Sequence, residues 1–103
     1  MITLVSDPTP ALLAEIQTFC TASCLGIKAL GPLLSYGTEY AFVSSWIQRG
    51  NKGELIAFIN KCYETAVVYQ KNSVIWQEQD ELTSFLSAIG YQALVSSPEI
   101  TGT

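Results

Sequence analysis

Histidine does not occur in this 103-residue chain. Its absence removes the commonest general base and excludes a Ser-His or Cys-His nucleophile pair. It also limits metal binding, because Cys20 and Cys24 would need two further ligands. The sequence therefore predicts neither a catalytic residue nor a metal site, and it favours packing roles for the cysteines.

Charged residues are scarce, at 14% of the chain, whereas hydrophobic residues make up 49%. The net charge is −4, and the basic residues are scattered: Lys28, Arg49, Lys52, Lys61 and Lys71. This pattern lacks the basic stripe that releases counterions from nucleic acid, so nucleic acid is not an expected ligand. The apolar excess predicts that part of the surface meets a partner.

Long hydrophobic runs are missing as well. The longest uncharged run, Leu82–Pro98, is interrupted by polar residues and falls short of the roughly 20 apolar residues that a membrane span needs. Residues 1–7 lack the basic and apolar regions of a secretory signal. Three cysteines cannot all pair within one chain, and free thiols suit a reducing compartment. We therefore expect no membrane contact and a cytoplasmic location.

Apolar periodicity predicts three helices. The first follows the capping segment Asp7–Pro10 and gathers its apolar side chains on one face: Leu12, Leu13, Ile16, Phe19 and Cys20. The apolar segment 25–36 is interrupted by glycines and a proline, which predicts a short, broken helix ending at Gly37. The third helix is expected at Asp80–Ala88, with Phe85 anchoring the core.

The remaining apolar runs are rich in β-branched and aromatic residues, which favours strands. These runs are residues 1–6, 40–47, 55–59, 65–69 and 91–96. The middle runs are nearly unbroken, which predicts strands covered on both faces. The segment Glu54–Tyr63 also fits a helical period, so a helix remains open as the alternative to a strand there.

Together these elements predict an α+β fold. It consists of a mixed, mainly antiparallel sheet with helices packed on it, in the order β-α-α-β-β-β-α-β. At this length the chain forms one domain, which we place at residues 1–97. A polar tail is expected to follow at residues 98–103.

The most patterned stretch is WIQRGNKGELIAFINKCYETAVVYQ, which contains two glycines in the segment Arg49–Gly53. A phosphate-binding loop leads from a strand into a helix, with backbone N–H groups facing the anion. Here the segment leads into another apolar run, and it lacks the Q/R-x-x-G-x-G/A pattern of acetyl-CoA sites. The turn chemistry of asparagine and glycine instead favours the exposed turn of a β-hairpin.

Four side chains are candidate ligand or partner contacts: Tyr36, Tyr40, Trp46 and Gln48. Aromatic residues, Tyr63 among them, can line a cleft, although aromatic strand residues more often belong to the core. The carboxylates of Glu78, Asp80 and Glu81 could pair for acid–base chemistry, but acidic residues that open a helix are usually solvated.

The chain resembles the N-terminal half of bacterial GNAT-type N-acetyltransferase-like proteins in three stretches: LGIKALGPLLSYGTEYAFVSSWIQRG, AVVYQ and DELTSFLSAIGYQAL. Its most specific parts are Tyr36-Gly37 before a strand, an aromatic-x-x-x-Trp-x-Gln strand at Phe42, Trp46 and Gln48, and the helix Glu81–Gly90. The resemblance covers about residues 25–94. The motifs that carry it are packing motifs rather than catalytic ones.

The resemblance implies that a C-terminal half carries the acetyl-CoA signature and the last strands of the fold. This chain alone would then bind no cofactor and be inactive as an acetyltransferase. We expect a half-domain that assists substrate binding or the packing of that C-terminal half, or that covers its apolar surface by homodimerisation. The alternative is a stand-alone protein-interaction module without catalysis. A reading frame that continues past Thr103 into Q/R-x-x-G-x-G/A would favour the first role, and a stop codon the second.

Overall fold

The computed structural model describes residues 1–71 and 74–96. Within these residues it shows an α+β domain with three helices and a five-stranded sheet, as the sequence predicts. The elements are β1 Ile2–Leu4, α1 Pro10–Cys20, α2 Cys24–Tyr36, β2 Val43–Arg49, β3 Leu55–Cys62, β4 Thr65–Gln70, α3 Trp76–Ile89 and β5 Ala93–Ser96. The polar tail predicted at residues 98–103 lies outside the described residues.

The sheet has the strand order β1-β2-β3-β4-β5. Its first four strands pair antiparallel, with β1 along the outer edge of β2 and with β2, β3 and β4 following one another through turns. The chain then crosses over through α3, and β5 pairs parallel to β4, because a helical crossover returns the chain in the same direction. The sheet is therefore mixed and mainly antiparallel, as predicted.

Helices cover both faces of the sheet. Helices α1 and α2 pack on one face around a buried cluster: Val5, Ile16, Cys20, Ala29, Leu30, Leu33, Ile47, Leu55, Phe58 and Val67. Helix α3 packs on the other face around a second cluster: Ala57, Ile59, Val68, Leu82 and Leu86. Strand β3 contributes to both clusters, and its residues 55–60 are all buried. This segment is therefore a strand, and the alternative helix is wrong.

Helix α2 differs from the short, broken helix that the sequence predicts. It runs without interruption, although Pro32 lies inside it. A proline removes one hydrogen bond of the helical ladder, and the burial of Leu30 and Leu33 on either side of it holds the helix together. The predicted end is correct, because Gly37 caps the helix with a φ of 72°.

Helix α3 starts one turn earlier than predicted, at Trp76 rather than at Asp80. The Glu78 carboxylate accepts a hydrogen bond of 3.1 Å from the Ile75 backbone N–H, which stabilises this earlier start. The acidic residues that were expected to open the helix therefore lie within its first two turns.

Phe85 contributes less to the core than the sequence suggests. It is half-buried, and its ring packs edge-to-face on Trp46 with centroids 5.2 Å apart. The fully covered positions of α3 are Leu82 and Leu86. Truncation of Phe85 is therefore expected to cost less than the roughly 3–5 kcal/mol typical of a fully buried phenylalanine.

Strand β2 begins at Val43, later than the apolar run that starts at Tyr40. The Val43 N–H donates a hydrogen bond of 3.3 Å to the Tyr40 carbonyl oxygen, so the chain turns just before the strand. Tyr40 and Phe42 thus precede the strand, and their ring centroids lie 5.3 Å apart.

The crossing of α1 and α2 depends on Gly26. This glycine lies against the backbone of Cys20, where a Cβ atom would overlap the carbonyl oxygen of that residue. Ser23 caps α2 by accepting a hydrogen bond of 3.1 Å from the Gly26 N–H, which fixes the start of α2 beside the end of α1. The absence of a side chain at Gly26 is therefore what permits the close approach.

Replacing Gly26 with alanine should destabilise the fold by about 1–3 kcal/mol, because the helices must move apart to admit the methyl group. Gly31 is the matched control, since it lies in the same helix and a Cβ atom there meets nothing within 4 Å. Gly31→Ala should stabilise the protein by up to about 1 kcal/mol through helix propensity. Urea unfolding measures both changes, and equal effects would contradict the close crossing.

Candidate functional site: an aromatic cluster at one end of the sheet

The segment Arg49–Gly53 forms a hairpin turn between β2 and β3, as predicted. The Gly50 N–H donates to the Glu54 carbonyl oxygen at 2.9 Å, and the Gly53 N–H donates to the Gly50 carbonyl oxygen at 3.0 Å. Gly53 has a φ of 82°, which glycine adopts without strain. A strand rather than a helix follows the turn, so the turn lacks the helix N-terminus that an anion-binding loop uses.

The Arg49 side chain is held by protein acceptors. Its guanidinium donates two hydrogen bonds to the Glu15 carboxylate and a third to the Gly53 carbonyl oxygen, each of 2.8 Å. The hydrogen bonds of this pair lower the pKa of Glu15 and raise that of Arg49. The salt bridge thus holds the hairpin against α1. The positive charge of Arg49 is already paired with Glu15, so it is not free to bind a phosphate.

Gln48 lies beneath α3 rather than at the surface. Its side chain is fully buried, and its Nε2 donates to the Glu78 carbonyl oxygen at 2.9 Å and to the Glu81 carboxylate at 2.8 Å. Ala57 pairs with Gln48 on one side and with Gln70 on the other, so the two glutamines form a polar row across the sheet. Gln70 also donates to α3, and the Oε1 atoms of both glutamines have no partner within the described residues.

Two of the three clustered acidic residues have structural partners. Glu81 accepts hydrogen bonds from Gln48 and, at 3.1 Å, from the terminal ammonium group of Met1. Glu78 accepts the hydrogen bond at the start of α3, whereas Asp80 is exposed. The predicted solvated, structural role is therefore correct only in part: Asp80 is exposed, whereas Glu78 and Glu81 are half-buried and help to hold α3 in place.

Trp46 lies on the α3 face of the sheet, half-buried against Phe85. It also lines a cleft of about 530 Å³. The lining residues are Ala41, Phe42, Ser44, Trp46, Lys61, Tyr63, Glu64 and Ile89. The cleft therefore opens between the start of β2, the turn that joins β3 to β4, and the C-terminus of α3.

An aromatic cluster lies beside this cleft, and it consists of Tyr36, Tyr40, Phe42 and Tyr63. Phe42 is at its centre, with ring centroids 4.8 Å from Tyr63, 5.1 Å from Tyr36 and 5.3 Å from Tyr40. The tyrosines are 45% (Tyr36), 54% (Tyr40) and 67% (Tyr63) exposed, so much of the aromatic surface faces solvent. The structure thus brings Tyr36 and Tyr40 together and separates both from Gln48.

Tyr63 occupies a strained backbone position. It forms, with Glu64, the two-residue turn between β3 and β4, flanked by the paired residues Cys62 and Thr65. Its φ is 55°, a conformation for which such turns normally use glycine or asparagine. The Tyr63 N–H donates to the Phe42 carbonyl oxygen at 2.8 Å, and the two rings stack at an angle of 11°. Backbone strain at an exposed residue suggests that its side chain has a role in binding.

Phe42, the central residue of the cluster, is not predicted as a contact from the sequence. The sequence predicts Tyr36 and Tyr40 as contacts but assigns Phe42 to a strand, and the pairing of β2 with β3 is what brings Phe42 to Tyr63. The available signal is the pair Tyr63-Glu64 between two strand-like runs. An aromatic residue stands there in place of the usual turn residues.

Neither a metal-binding group nor a membrane-crossing helix occurs within residues 1–71 and 74–96. No three histidine, cysteine, aspartate or glutamate side chains come together there in a way that could hold a metal ion. Cys20 is buried, which raises the pKa of its thiol to about 12, whereas Cys24 is exposed and Cys62 half-buried. No helix there is both long and apolar enough to cross a bilayer.

The salt bridge between Glu15 and Arg49 should make stability depend on pH. Hydrogen bonding lowers the folded pKa of Glu15, so the stabilisation is complete above the unfolded pKa and is lost as the pH falls through the folded value. The effect should stay within about 1 kcal/mol, because both side chains are a third or more exposed. Glu15→Gln should remove it, as measured by thermal unfolding at low salt from about pH 6 to about pH 3.

Glu64→Gln is the matched control for this measurement. Glu64 is exposed, and its carboxylate forms no ion pair within the described residues. The Glu64 variant should therefore keep the acid dependence that Glu15→Gln loses. An equal loss in both variants would show that the salt bridge does not contribute.

Comparisons with protein-family models, curated proteins and solved structures found no match for the chain. One end of the sheet combines an exposed aromatic cluster, a strained tyrosine and an adjoining cleft.

Proposed function

We propose that the chain is a non-catalytic, GNAT-like half-domain that docks through the open edge of β5. The proposal combines the resemblance to the N-terminal half of GNAT-type N-acetyltransferase-like proteins with the element order β-α-α-β-β-β-α-β. The resemblance assigns the last strands of the sheet to a C-terminal half, which would extend the sheet at β5. A second copy of the chain is the other partner that can cover this edge.

The outer edge of β5, which has no strand partner among the described residues, is the observation that carries this proposal. Among the described residues, β5 pairs with β4 alone. The Ala93 N–H donates to the Glu64 carbonyl oxygen at 3.2 Å, and successive N–H groups of a strand point to opposite sides, so those of Leu94 and Ser96 point away from β4. The strand contains neither a charge nor a proline, the features that protect natural sheet edges.

The opposite edge of the sheet is less suited to docking. Strand β1 has only three residues, one fewer than β5. Short edge strands discourage edge-to-edge pairing. Asp7 also has a φ of 49°, which ends the extended conformation. Strand β5 is therefore the better candidate for docking.

The strand-to-helix connections do not suit a nucleotide. These are residues 5–9 between β1 and α1 and residues 71–75 between β4 and α3, and neither segment contains a glycine. Loops that bind pyrophosphate use glycine so that backbone N–H groups can approach the anion. In this proposal the C-terminal half supplies acetyl-CoA binding, and this chain supplies packing or substrate contacts.

A stand-alone protein-interaction module is the second candidate function. The aromatic cluster favours it, because exposed tyrosines and other aromatic residues are enriched at the centres of protein contacts. In this role the cluster, rather than the β5 edge, would carry the main contact. The two roles differ in which surface loses exposure when a partner binds.

Calorimetric titration with acetyl-CoA tests the absence of a cofactor site. We expect no saturable heat at cofactor concentrations up to about 1 mM, the upper end of usual substrate affinities. The reason is the missing glycine loop, together with the occupation of Arg49 by Glu15. Saturable binding, with amide NMR shifts at Gly50–Gly53, would contradict the proposal and identify the hairpin as an anion site.

Light scattering over a concentration series tests the docking of β5. The Ala93 side chain is exposed, so Ala93→Lys places a charge on the edge strand without removing core packing. It should weaken self-association, or docking to a C-terminal half, by about tenfold or more, because a paired edge would desolvate the ammonium group. Ala11→Lys, at an exposed position of α1, adds the same charge away from the edge and should have no effect.

Two results would contradict docking at this edge. One is an association constant that Ala93→Lys leaves unchanged. The other is a monomeric protein in which the amides of Leu94 and Ser96 exchange freely with solvent in the natural gene product. Either result would favour the interaction module, whose contact lies at the aromatic cluster.

A further inference from the structure

We propose that the aromatic cluster, with a carboxylate beside each of two of its tyrosines, is a surface that binds an arginine side chain presented by a different protein, and that Tyr63 and Glu64 make the direct contact. The carboxylates belong to Glu39 and Glu64, each of which is next to a tyrosine of the cluster in the sequence. Glu39 lines one cleft together with Tyr40, and Glu64 lines another together with Tyr63. This inference does not rest on docking at β5, because it uses other side chains.

The charge around the cluster is negative. Within the described residues, the side chains of Glu39 and Glu64 have no hydrogen bond or ion pair. Lys61, the basic residue of the larger cleft, donates a hydrogen bond of 3.2 Å to the Ile89 carbonyl oxygen at the C-terminus of α3. The helix end thus holds the lysine ammonium, and the two carboxylates remain available to a ligand.

Arginine is the side chain that this combination of groups fits best. A planar guanidinium stacks on aromatic faces and pairs with carboxylates in a bidentate manner, whereas a lysine ammonium is a compact and strongly hydrated charge. One face of the Tyr63 ring stacks on Phe42, and the ring is 67% exposed, so its outer face is open next to Glu64. A guanidinium can therefore contact the ring and the carboxylate together.

The conformation of the turn supports a binding role for the Tyr63 ring. Glycine at this position would remove the strain of the positive φ, yet the chain has tyrosine there. Burial does not account for the choice, because most of the side chain faces solvent. The stack on Phe42 positions the ring, and in this proposal its outer face contacts the partner.

A second copy of the chain does not supply this arginine. Arg49 is the only arginine in the sequence. Its guanidinium is held by Glu15 and by the Gly53 carbonyl oxygen, at the opposite end of β2 from the cluster. A second copy therefore does not fit, and the proposal assigns the arginine to a different protein.

NMR titration of the isotope-labelled chain with short capped peptides tests the proposal. The probes are acetyl-Gly-Gly-Arg-Gly-Gly-amide and two relatives in which lysine or citrulline, the uncharged analogue of arginine, replaces the arginine. With the arginine peptide we expect saturable shifts centred on the amides of Tyr40, Phe42, Tyr63 and Glu64. The lysine peptide should bind more weakly, and the citrulline peptide should cause no shifts at the same concentration.

Two variants separate binding from folding. Tyr63→Gly removes the ring and the backbone strain together, so the chain should stay folded while the arginine peptide binds about two- to fivefold more weakly. Glu64→Gln removes the charge but keeps the shape, and it should weaken binding by a similar factor. Trp76→Ala is the matched control, because Trp76 is 74% exposed at the opposite end of α3 and should leave binding unchanged.

Several outcomes would overturn the proposal. They are equal binding of the arginine and citrulline peptides, shifts that lie away from the cluster, and an affinity that neither Tyr63→Gly nor Glu64→Gln changes. Loss of self-association in Tyr63→Gly would overturn it as well, because that result would assign the cluster to a contact between copies of the chain.

Discussion

The burial of β3 on both faces is the constraint on which the rest of the structure depends. Residues 55–60 are all covered, so the domain needs helices on both sides of the sheet. Helices α1 and α2 fill one side, and α3 fills the other with Leu82 and Leu86. The crossover through α3 in turn makes β5 parallel to β4 and leaves β5 at the edge.

Much of this fold can be predicted from the sequence, because most elements have a clear hydrophobic period. The segment of β3 fits both a helical and a strand period. It forms a strand because the neighbouring strands β2 and β4 bury it, and a helix there would lack this burial. The rule that proline interrupts a helix fails at Pro32. There the burial of Leu30 and Leu33 outweighs the loss of one hydrogen bond, which costs about 1 kcal/mol. The early start of α3 depends on a carboxylate contact of Glu78, which periodicity does not register.

The candidate contacts can be predicted only in part. The four candidate contacts are close in the sequence but lie in three different places. Tyr36 and Tyr40 lie in the aromatic cluster, Trp46 lines the cleft, and Gln48 lies beneath α3. Composition identifies suitable residue types, but the first residue of a strand and its alternation decide which face each side chain reaches. Tyr63 joins the cluster through the register of β2 and β3, which a single sequence does not reveal.

The polar row of Gln48 and Gln70, on either side of Ala57, sets the position of α3 along the sheet. Leucine side chains tolerate sliding, because they can repack against new apolar neighbours. A slip of one helical turn, about 5.4 Å, would instead separate the amide donors from their acceptors and leave buried N–H groups unpaired, at about 1–3 kcal/mol each. The glutamines therefore select one register of α3 among several that hydrophobic burial alone would accept.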